Sequence, residues 1–190
     1  MGDLLAGKES IMKYKDEVET AMSLLIGHPQ TIFLGQSVAY KGNVIFKTLE
    51  HLPPERKIET PVFEETQMGI SIGLALEGYI PVSVFPRFNF LLLAMNQLVN
   101  HLDKMRHISH GGFTPKVIVK TMVGSTRPLD PGIQHKSNFT TAFKALGMDE
   151  VVISDLTEPE MIVPAYELAL LRTDGKSTIL VEYGDYYEEK

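Results

Sequence analysis

The sequence predicts an α/β fold: a single three-layer domain in which helices cover both faces of a parallel β-sheet. Short apolar segments of strand length alternate with longer segments in which apolar residues recur every three or four positions. That alternation is typical of parallel strands joined by crossover helices. The 190 residues, 44% of them hydrophobic, are enough to bury the core of one such domain.

The elements follow in order along the chain, as one domain over residues 1–190. The predicted strands are 31–35, 57–60, 80–85, 116–123, 149–154 and 177–183. The predicted helices are 12–27, 64–76, 88–105, 139–146 and 158–173. Residues 36–56 have no clean period and predict a loop with some helix. The ends, 1–10 and 184–190, are expected to be flexible.

Two of the predicted helices have surfaces that favour a partner. Gly69 and Gly73 lie four residues apart on one face of the helix 64–76, where another backbone could approach closely. Gly78 is expected to end this helix. The helix 88–105 is apolar almost all the way round, which predicts burial, at a subunit interface in our interpretation.

Composition excludes several classes of protein. A net charge of −6 argues against a general nucleic-acid binder, and the absence of cysteine excludes disulfides and thiolate metal sites. The charged N-terminal segment and the lack of an 18-residue apolar run argue against a signal peptide and a membrane span, so we expect a cytoplasmic protein. Neither GxGxxG nor GxxxxGK[ST] occurs, which leaves a nucleotide-binding regulatory module without support.

Glu64 and Glu65 are the first candidates for chemistry. Acids in the first turn of a helix stabilise it through the dipole by about 0.3–1 kcal/mol, and that explains most such pairs. Here the helix that follows is unusually apolar and rich in glycine. A carboxylic acid buried at its start could hold or share a proton near neutral pH.

Aromatic and histidine residues near strand ends are the other candidates. Phe85, Phe88 and Phe90 span a strand-to-helix turn, and they either pack in the core or form a wall for a heteroaromatic ring. His135 lies in a Gly/Pro-rich loop after a strand. The pattern is equally compatible with a histidine that acts as an acid, a base or a hydrogen-bond donor and with an exposed histidine that has no role. His107 and His110 precede helix-breaking glycines, and we interpret them as surface or interface residues rather than metal ligands.

The segment 60–101 resembles the pyrimidine-binding domain of thiamin-diphosphate-dependent enzymes, above all the beta subunit of 2-oxo acid dehydrogenases and the central domain of transketolases. That family has Thr-Pro, two residues, Glu, a glycine-rich apolar helix, a strand ending in Phe-x-x-Phe, and an Asp/Asn-Gln-x-x-Asn segment. The matching positions are Thr60, Pro61, Glu64, 69–78, Phe85, Phe88 and 96–101. Weaker likeness extends over residues 31–183.

The resemblance implies a role for each matching residue. Glu64, rather than Glu65, would hydrogen-bond the aminopyrimidine ring and so promote loss of the thiazolium proton of thiamin diphosphate. Phe85 and Phe88 would wall the pyrimidine, His135 would face the substrate, and Gln36 would lie near the reaction centre. No metal ligand is expected in this chain, because the motif that binds Mg²⁺ and diphosphate is missing.

Two departures from the family shape the functional prediction. Gln36 stands where the family has a glutamate, and we expect no counterpart of the third domain of the dehydrogenase beta subunits in this chain. We therefore expect the pyrimidine-binding subunit of a split enzyme, a homodimer core that forms a heterotetramer with a diphosphate-binding-domain subunit. The expected reaction is transketolase-like or synthase-like transfer of a two-carbon ketol or acyl group from a ketose or 2-oxo acid. The alternatives are a beta-type subunit of a 2-oxo acid dehydrogenase or decarboxylase, and a non-catalytic scaffold of the same fold.

Overall fold

The protein forms one six-stranded sheet in which all neighbouring strands are parallel. The computed structural model describes residues 12–41 and 43–189. The strands are β1 (Thr31–Gly35), β2 (Lys57–Glu59), β3 (Ile80–Phe85), β4 (Ile118–Val123), β5 (Val151–Asp155) and β6 (Ser177–Tyr183). Their order across the sheet is β2-β1-β3-β4-β6-β5, so the predicted parallel sheet is confirmed.

Helices cover both faces of this sheet, which confirms the three-layer arrangement. They are α1 (Tyr14–Gly27), α2 (Val44–Leu49), α3 (Glu64–Leu76), α4 (Phe88–Leu91), α5 (Met105–Ile108), α6 (Thr140–Ala145), α7 (Pro159–Leu171) and α8 (Tyr186–Glu189). Buried side chains of α1, α2, α7 and α8 form one hydrophobic cluster with the sheet, and those of α3, α4 and α6 form the other. Successive residues of β4 divide between the clusters, because side chains of a strand alternate between its faces.

The single long helix predicted over residues 88–105 is wrong in detail. The chain stays helical but changes type, from α4 through a 3₁₀ turn at Leu92–Ala94 to a π-helical stretch at Gln97–Leu102. Its inner side is buried against the sheet, while Leu93 on the other side is 62% exposed. The chain itself therefore buries one side of this apolar segment and leaves the other side exposed.

The glycine face of α3 is open. An added Cβ at Gly73 would meet no heavy atom within 4 Å, and at Gly69 it would meet only the Gln97 side chain, at 3.8 Å. No backbone of the described residues approaches this face. Gly78 follows the end of α3 with a positive φ of 88°, as expected for a residue that stops a helix.

The C-terminal segment, residues 184–190, was expected to be flexible, and its described part makes specific contacts with the rest of the chain. Tyr187 in α8 is only 5% exposed, and its hydroxyl donates to the Glu182 carboxylate in β6. Two polar anchors hold this end in place, since Asp185 also accepts from the backbone N–H of Thr126. The other expected flexible end, residues 1–10, lies outside the described residues.

A buried ion pair joins the neighbouring strands β4 and β6. Lys120 Nζ lies 2.5 Å from both carboxylate oxygens of Glu182, and both side chains are fully buried. The Tyr166 hydroxyl donates to the same carboxylate at 2.6 Å. Burial lowers the pKa of Lys120 and raises the pKa of Tyr166 well above its usual value, so the phenol stays neutral. The hydrogen bonds compensate part of the cost of removing this pair from water.

No helix in the described part of the chain combines the length and apolar character needed to cross a bilayer.

Candidate functional site

The order of the strands reverses between β1 and β3, and we call the region beyond the carboxyl ends of these two strands the crevice. From β1 the chain moves outward to the edge strand β2 and then returns to β3 on the other side of β1. Ligands of open parallel sheets bind at such a reversal of strand order. Gly35 ends β1 with a φ of 142°, and an added Cβ there would lie 2.2 Å from the carbonyl oxygen of Val84. Only glycine therefore lets β1 and β3 come this close beside the crevice.

Glu64 and Gln36 meet at this crevice. Glu64 is the first residue of α3 and is 4% exposed, and Gln36 directly follows β1. The Gln36 side-chain amide donates to Glu64 Oε1 at 3.0 Å. Within the described residues this is the one hydrogen bond that the Glu64 carboxylate accepts.

Glu65 points the other way. Its side chain is exposed, and it accepts a hydrogen bond from Asn96 Nδ2 at 3.2 Å. Successive residues of a helix diverge by about 100°, so only one of two adjacent acids can face the sheet. The structure thus buries the acid that the motif spacing selects and exposes its neighbour.

Gln67 fixes the first turn of α3 against the sheet. Its amide nitrogen donates to the Val84 carbonyl oxygen at 3.0 Å and to Ser83 Oγ at 3.1 Å. Its side chain is fully buried. Because residues three apart share a helix face, this anchor also sets the position of Glu64. Sequence reasoning did not single out Gln67, although its spacing from Glu64 was visible.

Glu59 is a second residue that sequence reasoning missed. Its carboxylate at the end of β2 accepts from the backbone N–H groups of Ser37 at 2.8 Å and of Ala39 at 2.7 Å. Ser37 has a positive φ of 66°, an uncommon conformation for serine. These bonds hold the turn after β1 and so orient Gln36.

His135 lies in the loop 124–138, which returns towards the end of β4. Its Nδ1 lies 3.0 Å from the Pro131 carbonyl oxygen, and its ring meets that of Phe90 edge to face at 5.4 Å. A carbonyl oxygen only accepts, so Nδ1 carries the proton and Nε2 remains for another partner. Gly124 permits this fold of the loop, because an added Cβ would lie 2.0 Å from the His135 carbonyl oxygen.

A cavity of about 210 Å³ lies between these segments. Ser37 borders it after β1, Arg87 and Phe90 after β3, and His135 from the loop. The remaining lining residues are Asn43, Val44, Ile45, Pro86 and Pro131. Burial lowers the pKa of Arg87 from its usual value, although a guanidinium stays charged at neutral pH.

Phe85 and Phe88 are fully buried in the cluster formed with α3 and α6. Phe88 packs against Phe139 and Phe143, with ring centroids 5.6 and 5.0 Å apart. Of the three phenylalanines considered from the sequence, Phe90 is the one that borders the cavity. The role of Phe85 and Phe88 as a wall for a pyrimidine stays a prediction.

Sequence comparisons identify relatives of the chain, although no family model matches it. It is 29% identical over 119 residues to the 2-oxoisovalerate dehydrogenase subunit beta of Bacillus subtilis, covering 60% of this chain and 36% of that one. It is 31% identical over 117 residues to the pyruvate dehydrogenase E1 component subunit beta of Gracilaria tenuistipitata, covering 60% and 35%. The chain thus matches only about a third of the length of these curated relatives.

A solved structure has the same fold. The chain is similar, with a TM-score of 0.68, to a protein described as a split gene transketolase, an inactive beta4 tetramer. The match covers 92% of this chain and 52% of that one, at 14% sequence identity. The chain therefore shares its fold with this transketolase structure. Its homologues are beta subunits of 2-oxo acid dehydrogenases, so the resemblance inferred from residues 60–101 is confirmed.

The fold brings some predicted site residues together and separates others. Gln36 and Glu64 are hydrogen-bonded to each other. His135 borders the adjacent cavity, and so does Ser37, the neighbour of Gln36 in the chain. His107 and His110 line a different depression, together with Arg106. Across the described residues, no group of three or more acidic or histidine side chains is arranged to hold a metal ion.

Proposed function

We propose that the chain is the pyrimidine-binding subunit of a split thiamin-diphosphate-dependent enzyme that transfers a two-carbon ketol or acyl group. The observation that carries the proposal is the buried Glu64 carboxylate beside Gln36. A buried acid is costly unless it has a partner, and one amide donor engages only Oε1. Oε2 is left for a group that can share a proton.

The donor set of the crevice fits the aminopyrimidine half of thiamin diphosphate. A carboxyl group can form a hydrogen bond to a weakly basic ring nitrogen and share its proton with that nitrogen. The Gln36 amide holds that carboxylate in place, and Gln67 holds the helix that carries it. When bound, thiamin diphosphate supplies a nucleophilic carbon that adds to a carbonyl group of the substrate.

His135 is proposed to act on the substrate. With its Nδ1 proton held by the Pro131 carbonyl, Nε2 is the atom that takes up or returns a proton. Phe90 packs against the imidazole and limits its rotation. The Gly124–His135 approach keeps the loop, and with it the imidazole, at the mouth of the cavity.

The remaining parts of the enzyme are proposed to come from other subunits. Mg²⁺ and the diphosphate would be held mainly by a diphosphate-binding-domain subunit. The exposed side of the segment 88–105 and the open glycine face of α3 support a homodimer core within a heterotetramer. The substrate would be a ketose or a 2-oxo acid.

A second candidate function is that of a beta-type subunit of a 2-oxo acid dehydrogenase. It is favoured by the relatives, which are dehydrogenase beta subunits. The two reactions differ in the acceptor, so the complex should be assayed with a 2-oxo acid plus a lipoyl acceptor and with a ketose plus an aldehyde. Acylation of the lipoyl group would assign the dehydrogenase reaction in place of transfer to an aldehyde.

The proposed catalytic role is tested by hydrogen–deuterium exchange at the thiazolium carbon, in the chain reconstituted with a diphosphate-domain partner. Glu64→Gln keeps the shape but cannot take the shared proton, so exchange should slow by about 10²–10⁴-fold. Glu65→Gln is the matched control, because Glu65 is exposed, and should exchange at the wild-type rate. Wild-type exchange in both variants would leave the non-catalytic scaffold as the function.

A further inference from the structure

Among the described residues, Arg87 has no carboxylate partner. Its one hydrogen bond within the described residues goes from Nη1 to the carbonyl oxygen of the preceding residue, Pro86, at 2.7 Å. A guanidinium has five donors, so most of its capacity is unused. Its side chain is half-buried, and burial lowers its pKa because the charged form is partly desolvated.

Three other arginines bind an anion or several hydrogen-bond acceptors. Arg56 donates to Thr31 and to a backbone carbonyl, Arg106 contacts Glu150, and Arg172 is bound by Asp174. Tyr187 is the ionisable group that acts on the charge of Arg87, and burial raises the pKa of that phenol so far that it remains neutral. A partly desolvated guanidinium with unused donors favours an anionic ligand beside Arg87.

The cavity beside Arg87 has the chemistry of an anion site. Its polar side chains are Arg87, His135, Ser37 and Asn43, and no carboxylate is among the lining residues. His135 can add a donor through Nε2 when it is protonated, because Nδ1 is already bound to Pro131. About 210 Å³ is below the usual range for a drug-sized ligand, so the cavity suits one small group at the end of a molecule.

The position of the cavity connects it to the proposed chemistry. Ser37 borders the cavity and directly follows Gln36, which is hydrogen-bonded to Glu64. Arg87 itself comes two residues after the end of β3, at the same edge of the sheet. A substrate held here by one end would reach the crevice with its other end.

We propose that Arg87 is a specificity-determining residue that binds an anionic oxygen group, a phosphate or a carboxylate, at one end of the substrate. This inference rests on the proposed function, because it takes the crevice at Glu64 to be the reaction centre. Guanidinium pairs with the oxygens of such groups through two parallel hydrogen bonds, which gives both affinity and orientation. Neutral ketoses and aldehydes of the same length would then be poor substrates.

The first test needs neither cofactor nor partner. The full chain is titrated with inorganic phosphate and, separately, with acetate, while NMR follows the Nε–Hε signal of Arg87 and the ring signals of His135. Saturable shifts at both residues are expected, and they should be lost in Arg87→Gln. Lys47→Gln, which removes an exposed positive charge from α2 outside the cavity, should keep them. Absence of saturable shifts with either anion would overturn the anion site.

The second test uses the reconstituted complex with paired substrates that differ only in a terminal phosphate or carboxylate. Arg87→Gln should raise KM for the anionic member by about 10- to 100-fold, the loss of one charge-assisted bidentate contact, and leave the neutral member unchanged. A larger effect on the phosphorylated pair assigns the site to phosphate, and the reverse assigns it to carboxylate. Equal effects on anionic and neutral substrates would refute the specificity role.

The two proposals fail in different ways. Normal thiazolium exchange that depends on Glu64, together with no change in substrate preference in Arg87→Gln, would overturn the Arg87 inference and leave the proposed function intact. Anion-dependent shifts at Arg87 without thiazolium exchange in any complex would instead overturn the proposed function and support the anion site.

Discussion

The Gln36 amide donates to the Glu64 carboxylate at 3.0 Å and so joins the end of β1 to the first turn of α3. This contact crosses the crevice between β1 and β3, where the order of the strands reverses. It sets one acid of an adjacent pair against the sheet, while the other is exposed. The predictions below test this contact and the elements that support it.

Replacing Gln36 with glutamate should destabilise the chain in a pH-dependent way. Gln36→Glu places two carboxylates close together, and at a separation of about 4 Å their repulsion costs about 4 kcal/mol at an effective dielectric constant of about 20. The cost is present where both acids ionise, near pH 7, and falls as pH drops towards 5 and one of them is protonated. Thermal unfolding across this range would measure it. Gln36→Met is the matched control, and an equal pH profile for both variants would contradict the pairing.

His135→Ala should slow turnover in the reconstituted complex while thiamin diphosphate still binds. Loss of a general acid or base costs about 10²–10⁴-fold in rate. Steady-state kinetics measure the effect, and calorimetry checks cofactor binding. His107→Ala is the control, because that histidine is exposed in a different depression. A wild-type turnover number for His135→Ala would mean that the imidazole has no part in the reaction.

Gly73→Ala separates the stability of α3 from its role in assembly. An added Cβ meets no heavy atom within 4 Å, so the substitution should stabilise the isolated chain by about 0.5–1 kcal/mol, as alanine does in helix interiors. If another subunit's backbone packs on this face, the same methyl group should weaken the homodimer. Urea unfolding and sedimentation measure the two effects. A wild-type chain that sediments only as a monomer, alone and with its partner, would refute the predicted homodimer.

Glu182→Gln should be the most destabilising of these changes. It leaves the fully buried Lys120 ammonium without its counter-ion, which typically costs about 3–5 kcal/mol. Tyr187→Phe removes one hydroxyl donor to the same carboxylate and should cost only about 1 kcal/mol. Urea unfolding compares the two. A loss for Glu182→Gln no larger than that for Tyr187→Phe would show that the charge of Lys120 is not compensated mainly by Glu182.

The sequence by itself determined the α/β class, the parallel sheet and the approximate bounds of most elements. These depend on local periodicity and on the alternation of strands with helices, both of which are visible in a single chain. The distinction between Glu64 and Glu65 was also within its reach, because 100° per residue and the motif spacing assign one face to each acid. The flexibility expected for residues 184–190 stays a prediction, and the burial of Tyr187 within this segment depends on a carboxylate in β6 and on packing against α1.

Only the tertiary structure decided which residues surround the crevice. Glu59 and Gln67 act through hydrogen-bond partners from other segments of the chain. Arg87 is notable because its one hydrogen bond goes to the residue before it. The spacing of residues along the sequence reveals neither property. The choice of Phe90 over Phe85 and Phe88 as the cavity wall likewise depended on where the loop 124–138 folds back. Periodicity specifies which face of an element is apolar, whereas a site forms where the ends of several elements meet, and that meeting is set by how the whole chain packs.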